Sequence, residues 1–118
     1  MASTFGQLLR SIRREKGVSQ RALADQVGVD FSYISKIEND RLPPPSGDTV
    51  LAMAEALSVE PARLLALTRK LPSGIEEHVA SSAAAQQFLL AAEQLHLSDR
   101  EWQEMVKRLH ELRDDHRE

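Results

Sequence analysis

The chain contains no cysteine in its 118 residues. Disulfides, thiolate nucleophiles, iron–sulfur clusters and cysteine-ligated zinc are therefore excluded together. Aromatic residues make up only 4%, so a core has to be assembled from Leu, Ile, Val and Ala within an apolar share of 42%. Such a mixture favours helices packed on helices over a sheet sandwich. No apolar run approaches the ~20 residues that span a bilayer. The opening stretch "MASTFGQLLRSIRREKG" also lacks the apolar segment of a signal peptide. These absences lead us to expect a cytoplasmic protein with no membrane partner.

Catalytic signatures are missing too. There is no phosphate-cradling glycine loop and no nucleophile elbow, and "HELRD" lacks the second histidine of an HExxH zinc motif. His78, His96, His110 and His116 are scattered; His110 and Asp114 lie one turn apart, but two ligands do not make a site. The expectation is no enzyme, no catalytic residue, no metal and no cofactor.

What is present is unevenly spread. The net charge of −3 divides into +2 over residues 1–71 and −5 over residues 72–118. The two parts therefore suit different partners.

Residues 1–71 read as five short helices. Ser3 and Thr4 can cap a first helix with Phe5, Leu8, Leu9 and Ile12 inward, ending at Gly17. Ser19 caps "QRALADQV", which Gly28 ends, and Asp30 caps a third helix running to about Glu38. So short a glycine-containing connection forces the second and third helices to cross steeply, as in a helix-turn-helix. Three prolines in "RLPPPSGD" hold the chain extended. Ser46 then caps a fourth helix with Val50, Leu51, Ala54 and Leu57 inward. Glu60 and Pro61 open a fifth with Leu64, Leu65 and Leu67.

The third helix is the informative one. In "GVDFSYISKIEND", residues 28–40, only Ile34 and Ile37 form an apolar flank. Ser32, Ser35 and Lys36 lie opposite, with Phe31 and Tyr33 at the sides. That face suits the major groove of B-DNA. Hydroxyls bond either kind of base edge, a lysine donates to guanine, and Phe31 can pack on a thymine methyl. Tyr33 can donate to a phosphate. The plainer alternative is a solvated face with Phe31 tucked over a neighbouring helix.

"VSQRALADQVGVDFSYISKIEND" followed by "SGDTVLAMAEALSVEPARLL" resembles the XRE family of helix-turn-helix regulators, the Cro and phage-repressor type, over about residues 5–68. The resemblance implies a five-helix lambda-repressor-like bundle that binds double-stranded operator DNA as a regulator. It also implies base contacts from Phe31, Ser32 and Lys36. Gln20 would touch a phosphate and brace the third helix, and Asn39 and Arg41 would lie along the DNA backbone. The sequence departs from the family at Asp40 and Ser58, where glycine is frequent, and in a longer "LPPPSG" loop.

Beyond residue 71 the family says nothing specific. Ser73/Glu76 and Ser98/Glu101 have capping-box spacing. They delimit two amphipathic helices that would form an all-α hairpin, ending in a frayed charged tail after Arg113. Their stripes, including Phe88, Leu95, Trp102, Met105, Leu109 and Leu112, suit pairing with a second copy. Three alternatives stay open: the helices pack on the first bundle, they bind a different protein, or the chain is an antitoxin that represses its own operon.

Overall fold

A computed structural model describes residues 3–115. His116 and the end of the charged tail lie outside the described residues. Within them the secondary structure is helical throughout, without a strand. The helices are α1 (Phe5–Glu15), α2 (Gln20–Val27), α3 (Phe31–Glu38), α4 (Gly47–Leu57), α5 (Pro61–Leu65), α6 (Ser73–Ser81), α7 (Ala83–Leu95) and α8 (Asp99–Asp115). None of them is long and apolar enough to cross a membrane. The chain divides into two compact units, Met1–Glu77 and His78–Glu118.

In the first unit α1 to α4 each begin on a residue that caps them, while α5 opens on Pro61 without a side-chain cap. The side chains of Thr4, Ser19, Asp30 and Ser46 accept from the first-turn amides of α1, α2, α3 and α4. At Thr4 the cap is reciprocal, because Gln7 reaches back to the Thr4 amide. Such caps contribute about 1 kcal/mol each. That matters for helices as short as α2 and α3, of eight residues, which are marginal alone. Tertiary burial does the rest. Phe5, Leu9, Ile12, Leu23, Ile34, Ile37, Val50, Met53, Leu57 and Leu64 form one buried cluster, with Val29 packed at its edge.

Two expectations about burial are corrected. Leu51 stands 37% exposed while Met53 is fully buried. The inward stripe of α4 is thus Val50, Met53, Ala54 and Leu57, at i, i+3, i+4 and i+7. Leu67 is exposed because α5 stops at Leu65.

Two departures from the family pattern find a physical account. Asp40 takes a left-handed φ of 59°, which Asp tolerates better than most residues. Its carboxylate accepts a hydrogen bond from the Thr4 hydroxyl at 3.0 Å. Gly6 packs so closely here that a Cβ would strike the Ile37 carbonyl oxygen. The start of α1 is thereby fastened to the end of α3. Ser58 is also left-handed, at 55°, where it closes α4.

The longer loop is pinned as well. Lys70 Nζ donates to the carbonyls of Pro44 and Pro45 at 2.9 and 3.3 Å. The expected Ser73/Glu76 capping box is replaced. The Asp48 carboxylate, from α4, accepts the Ser73 amide at 2.8 Å, and the Pro72 carbonyl takes the amides of Ile75 and Glu76. That backbone amide holds the Asp48 carboxyl below its ordinary range.

Beyond residue 72 the expected two-helix hairpin is corrected: its first helix is split at Ser82 into α6, which crosses the boundary between the units, and α7. Ser82 turns extended, and its hydroxyl accepts from the Ala85 amide to cap α7. The Ser81 hydroxyl bonds back to the His78 carbonyl, and Gln86 donates to the carbonyls of Val79 and Ala80. Paired serines offer the backbone competing partners in this way and break a helix. The Ser98/Glu101 capping box is present in both directions, at 3.0 and 3.2 Å.

Two charged groups are buried in the first unit, Glu38 and Arg13. Glu38, at the end of α3, has a side chain with no exposure. Arg13 of α1 grips it with two bonds, Nε to Oε2 at 2.6 Å and Nη2 to Oε1 at 2.9 Å. Gln20 of α2 adds a bond at 3.0 Å, and Arg10 adds one at 3.5 Å. Arg13 also donates to the Val18 carbonyl in the α1–α2 turn. Burial pushes the Glu38 carboxyl up, but the bonds from Arg13 and Gln20, with the Arg13 charge, bring it below its ordinary value. The Glu38 bond raises the Arg13 guanidinium in turn.

Removing one partner of such a pair leaves the other uncompensated. Glu38→Ala should therefore cost about 3–5 kcal/mol in urea unfolding. A cost under about 1 kcal/mol would mean that the pair does not hold the helices. The pH dependence has a definite sign. The folded-state carboxyl titrates below the ordinary 4.5, so its stabilisation is complete above that value and is lost as pH falls through the folded-state pKa. Acid titrations of wild type and Glu38→Gln should differ in that window; parallel curves would remove Glu38 from the acid response.

Candidate nucleic-acid interface

The α2–α3 turn is made by Gly28, left-handed at φ 82°, whose amide and that of Val29 both bond to the Ala24 carbonyl. Asp30 then starts α3 by accepting the Ser32 amide. From this turn α3 buries Ile34, Ile37 and Glu38 and leaves Phe31, Ser32 and Lys36 exposed, with Tyr33 and Ser35 half-buried at the flanks. The residues expected at base edges thus share the outer side of one helix, except that Ser35 is set back and Tyr33 rests against the core.

The expected backbone-contact residues are placed less uniformly. The Gln20 amide nitrogen is committed to Glu38, so the bracing role has a direct structural basis. Asn39 is exposed, and its side chain is occupied within the protein. Its Nδ2 donates to the Ser35 carbonyl at 2.9 Å, and its Oδ1 accepts from Arg10. Arg41 has an exposed side chain just beyond α3, with its amide bonded to the Lys36 carbonyl.

Sequence reasoning left out Arg21. Its guanidinium lies over the Phe31 ring, 4.6 Å from the centroid. The two residues are ten apart on different helices, and no local spacing marks such a pair. Beside them is an open notch of about 440 Å³ lined by Arg13, Arg14, Ser19, Gln20, Arg21 and Phe31. Three arginines and no carboxylate line it; Arg13 is paired with Glu38, which leaves Arg14 and Arg21 as the charges that suit an anion. Arg10, also left out, lies between Glu38 and Asn39.

The second unit presents the opposite kind of surface. Among the large apolar residues of α7 and α8, Phe88, Leu90, Leu95, Val106, Leu109 and Leu112 are more than half exposed. Ala92 is buried. An open groove of about 500 Å³ brings together Phe88, Trp102, Met105, Val106, Leu109 and Leu112. Leu95 lines an adjacent groove with Phe88 and Met105.

The first unit resembles known proteins. A helix-turn-helix domain family matches residues 4–67. An immunity repressor protein of Bacillus phage phi105 is 29% identical over 112 residues, spanning 95% of this chain and 64% of the relative. The HTH-type transcriptional repressor RghR of Bacillus subtilis is 38% identical over 56 residues, 48% of this chain and 42% of the relative. The chain thus spans less than two thirds of the length of either relative. Among solved structures, the master regulator for biofilm formation SinR, in complex with DNA, superposes with a TM-score of 0.50 at 35% identity. That match covers 52% of this chain and 98% of SinR. With its capped turn, its exposed third helix and a family match over more than half its length, the chain belongs to the helix-turn-helix domain family, of the XRE, Cro and phage-repressor type, and shares that domain with proteins named as transcriptional repressors.

Proposed function

We propose that the protein is a sequence-specific repressor that acts in the cytoplasm as a dimer. In this reading α3 enters the major groove of a palindromic operator. Residues 1–71 form the DNA-binding domain, and residues 72–118 form the dimerisation region. The observation that carries the reading is the two-sided character of α3: Ile34, Ile37 and Glu38 are fixed in the interior, while Phe31, Ser32 and Lys36 point outward. A groove-reading helix needs that rigid underside and polar, hydrogen-bonding front. Ser32, Ser35 and Lys36 address base edges, and Phe31 a thymine methyl. Gln20, Tyr33, Asn39 and Arg41 follow the backbone.

The dimeric part rests on the second unit. Related regulators bind half-sites one helical turn apart, which calls for a two-fold partner. The apolar side chains of Phe88, Leu95, Trp102, Met105, Leu109 and Leu112 supply a surface that a second copy can cover. The same groove supports a second reading, in which a different protein docks there and DNA binding serves autoregulation, as in an antitoxin.

Replacing Ser32 and Lys36 together with alanine should cost about 1–3 kcal/mol on the cognate duplex and little on random DNA. Unchanged cognate affinity by fluorescence anisotropy would remove α3 as the reading helix. Wild-type protein should sediment as a dimer at micromolar concentration, and Trp102→Ala should shift it toward monomer while the first unit keeps its unfolding midpoint. A wild-type monomer with the groove still exposed would turn the assignment to a foreign protein partner.

A further inference from the structure

We propose that Arg21 is a positioning residue for base recognition. It holds Phe31 as an apolar probe for a thymine methyl and offers its own edge to a DNA phosphate. This rests on the assignment of α3 as the reading helix.

Three observations combine here. Phe31 is the first residue of α3, and its ring is 38% exposed. An exposed benzyl group at that position is free to change rotamer unless something closes one face. Arg21, the second residue of α2, does so: a cation over the ring face is attracted by its quadrupole. A guanidinium over a ring face can hold it without using its N–H donors. Among the described residues no carboxylate pairs with Arg21, although Arg10, Arg13 and Arg108 are all paired. Its donors therefore remain open, beside a notch that Arg14 also lines.

The chemistry of the major groove then selects the target. Its apolar feature is the thymine C5-methyl, while the remaining base-edge groups are hydrogen-bonding. A ring fixed at the front of α3 gains by meeting that methyl and loses by covering a polar edge. The same helix pair sits against the sugar-phosphate rim, where the open donors of Arg21 find an oxygen. Phe31 would read, and Arg21 would hold the reader in register with the backbone.

The test uses the full chain. A random duplex library is selected for the tightest binders, and each thymine of the enriched duplex is replaced singly by deoxyuridine, which lacks only the methyl. Affinities are measured at several salt concentrations. One replacement should weaken wild type about fourfold, the effect of losing one buried carbon. Phe31→Ala should bind the thymine and deoxyuridine duplexes equally, with the salt dependence unchanged. Arg21→Gln should also lose the discrimination, and its salt slope should fall by about one. Arg21→Lys should keep the slope and lose most of the discrimination, since the charge remains but the flat stacking group does not. Arg21 is exposed, so none of these variants threatens the fold. Arg21→Gln discriminating as wild type does would overturn the proposal while leaving α3 as the reading helix. Failure of any duplex to enrich would overturn both.

Discussion

The buried carboxylate of Glu38 is the constraint from which the first unit is organised. Its two oxygens receive Arg13 and Arg10 from α1 and Gln20 from α2, so one side chain of α3 is bonded to both helices on which α3 rests. Apolar burial alone would allow Ile34 and Ile37 to slide or rotate over a greasy surface. A charge with no exposure permits one arrangement, because any other leaves it without partners. Among the described residues no buried side-chain nitrogen or oxygen lacks a hydrogen bond. The packing sets how strongly α3 is held, and Glu38 sets its angle and register.

The same network links the interior to the surface that we assign to DNA. Arg10 touches Glu38 on one side and Asn39 on the other, and Asn39 bonds back to the Ser35 carbonyl. Gln20 stands at the start of α2 beside the cationic notch while its amide nitrogen remains on Glu38. The groups at the rim of the proposed interface are thus held in place before any ligand arrives. Preorganisation of this kind lowers the ordering cost of binding.

The parts of the fold legible in the sequence were the local ones. Thr4, Ser19, Asp30, Ser46 and Ser98 announce helix starts because a cap and its amide lie within three residues. Gly28 marks its turn because few other residues take that φ. The outer side of α3 could be read because Ile34 and Ile37 alone define its inner one. What failed depended on residues remote in sequence. Asp48 displaces the expected cap at Ser73 from 25 positions away. The Arg13–Glu38 pair spans the same 25, and Arg21 meets Phe31 across the turn. Leu51 and Met53 are a different case: either completes a plausible stripe on α4, and only the neighbours decide. The break at Ser82 was missed because the surrounding alanines outweigh two serines in any summed propensity.

The inner side of α3 consists of just Ile34, Ile37 and Glu38 as its fully buried residues. If α3 is the reading helix we propose, folding information and ligand-reading information are written at different positions of one eight-residue segment. A lineage can exchange Phe31, Ser32 or Lys36 without disturbing the interior, and so drift to a new binding sequence through intermediates that all still fold. That separation makes so small a scaffold reusable: its evolvability is set by how few of its residues the core has claimed.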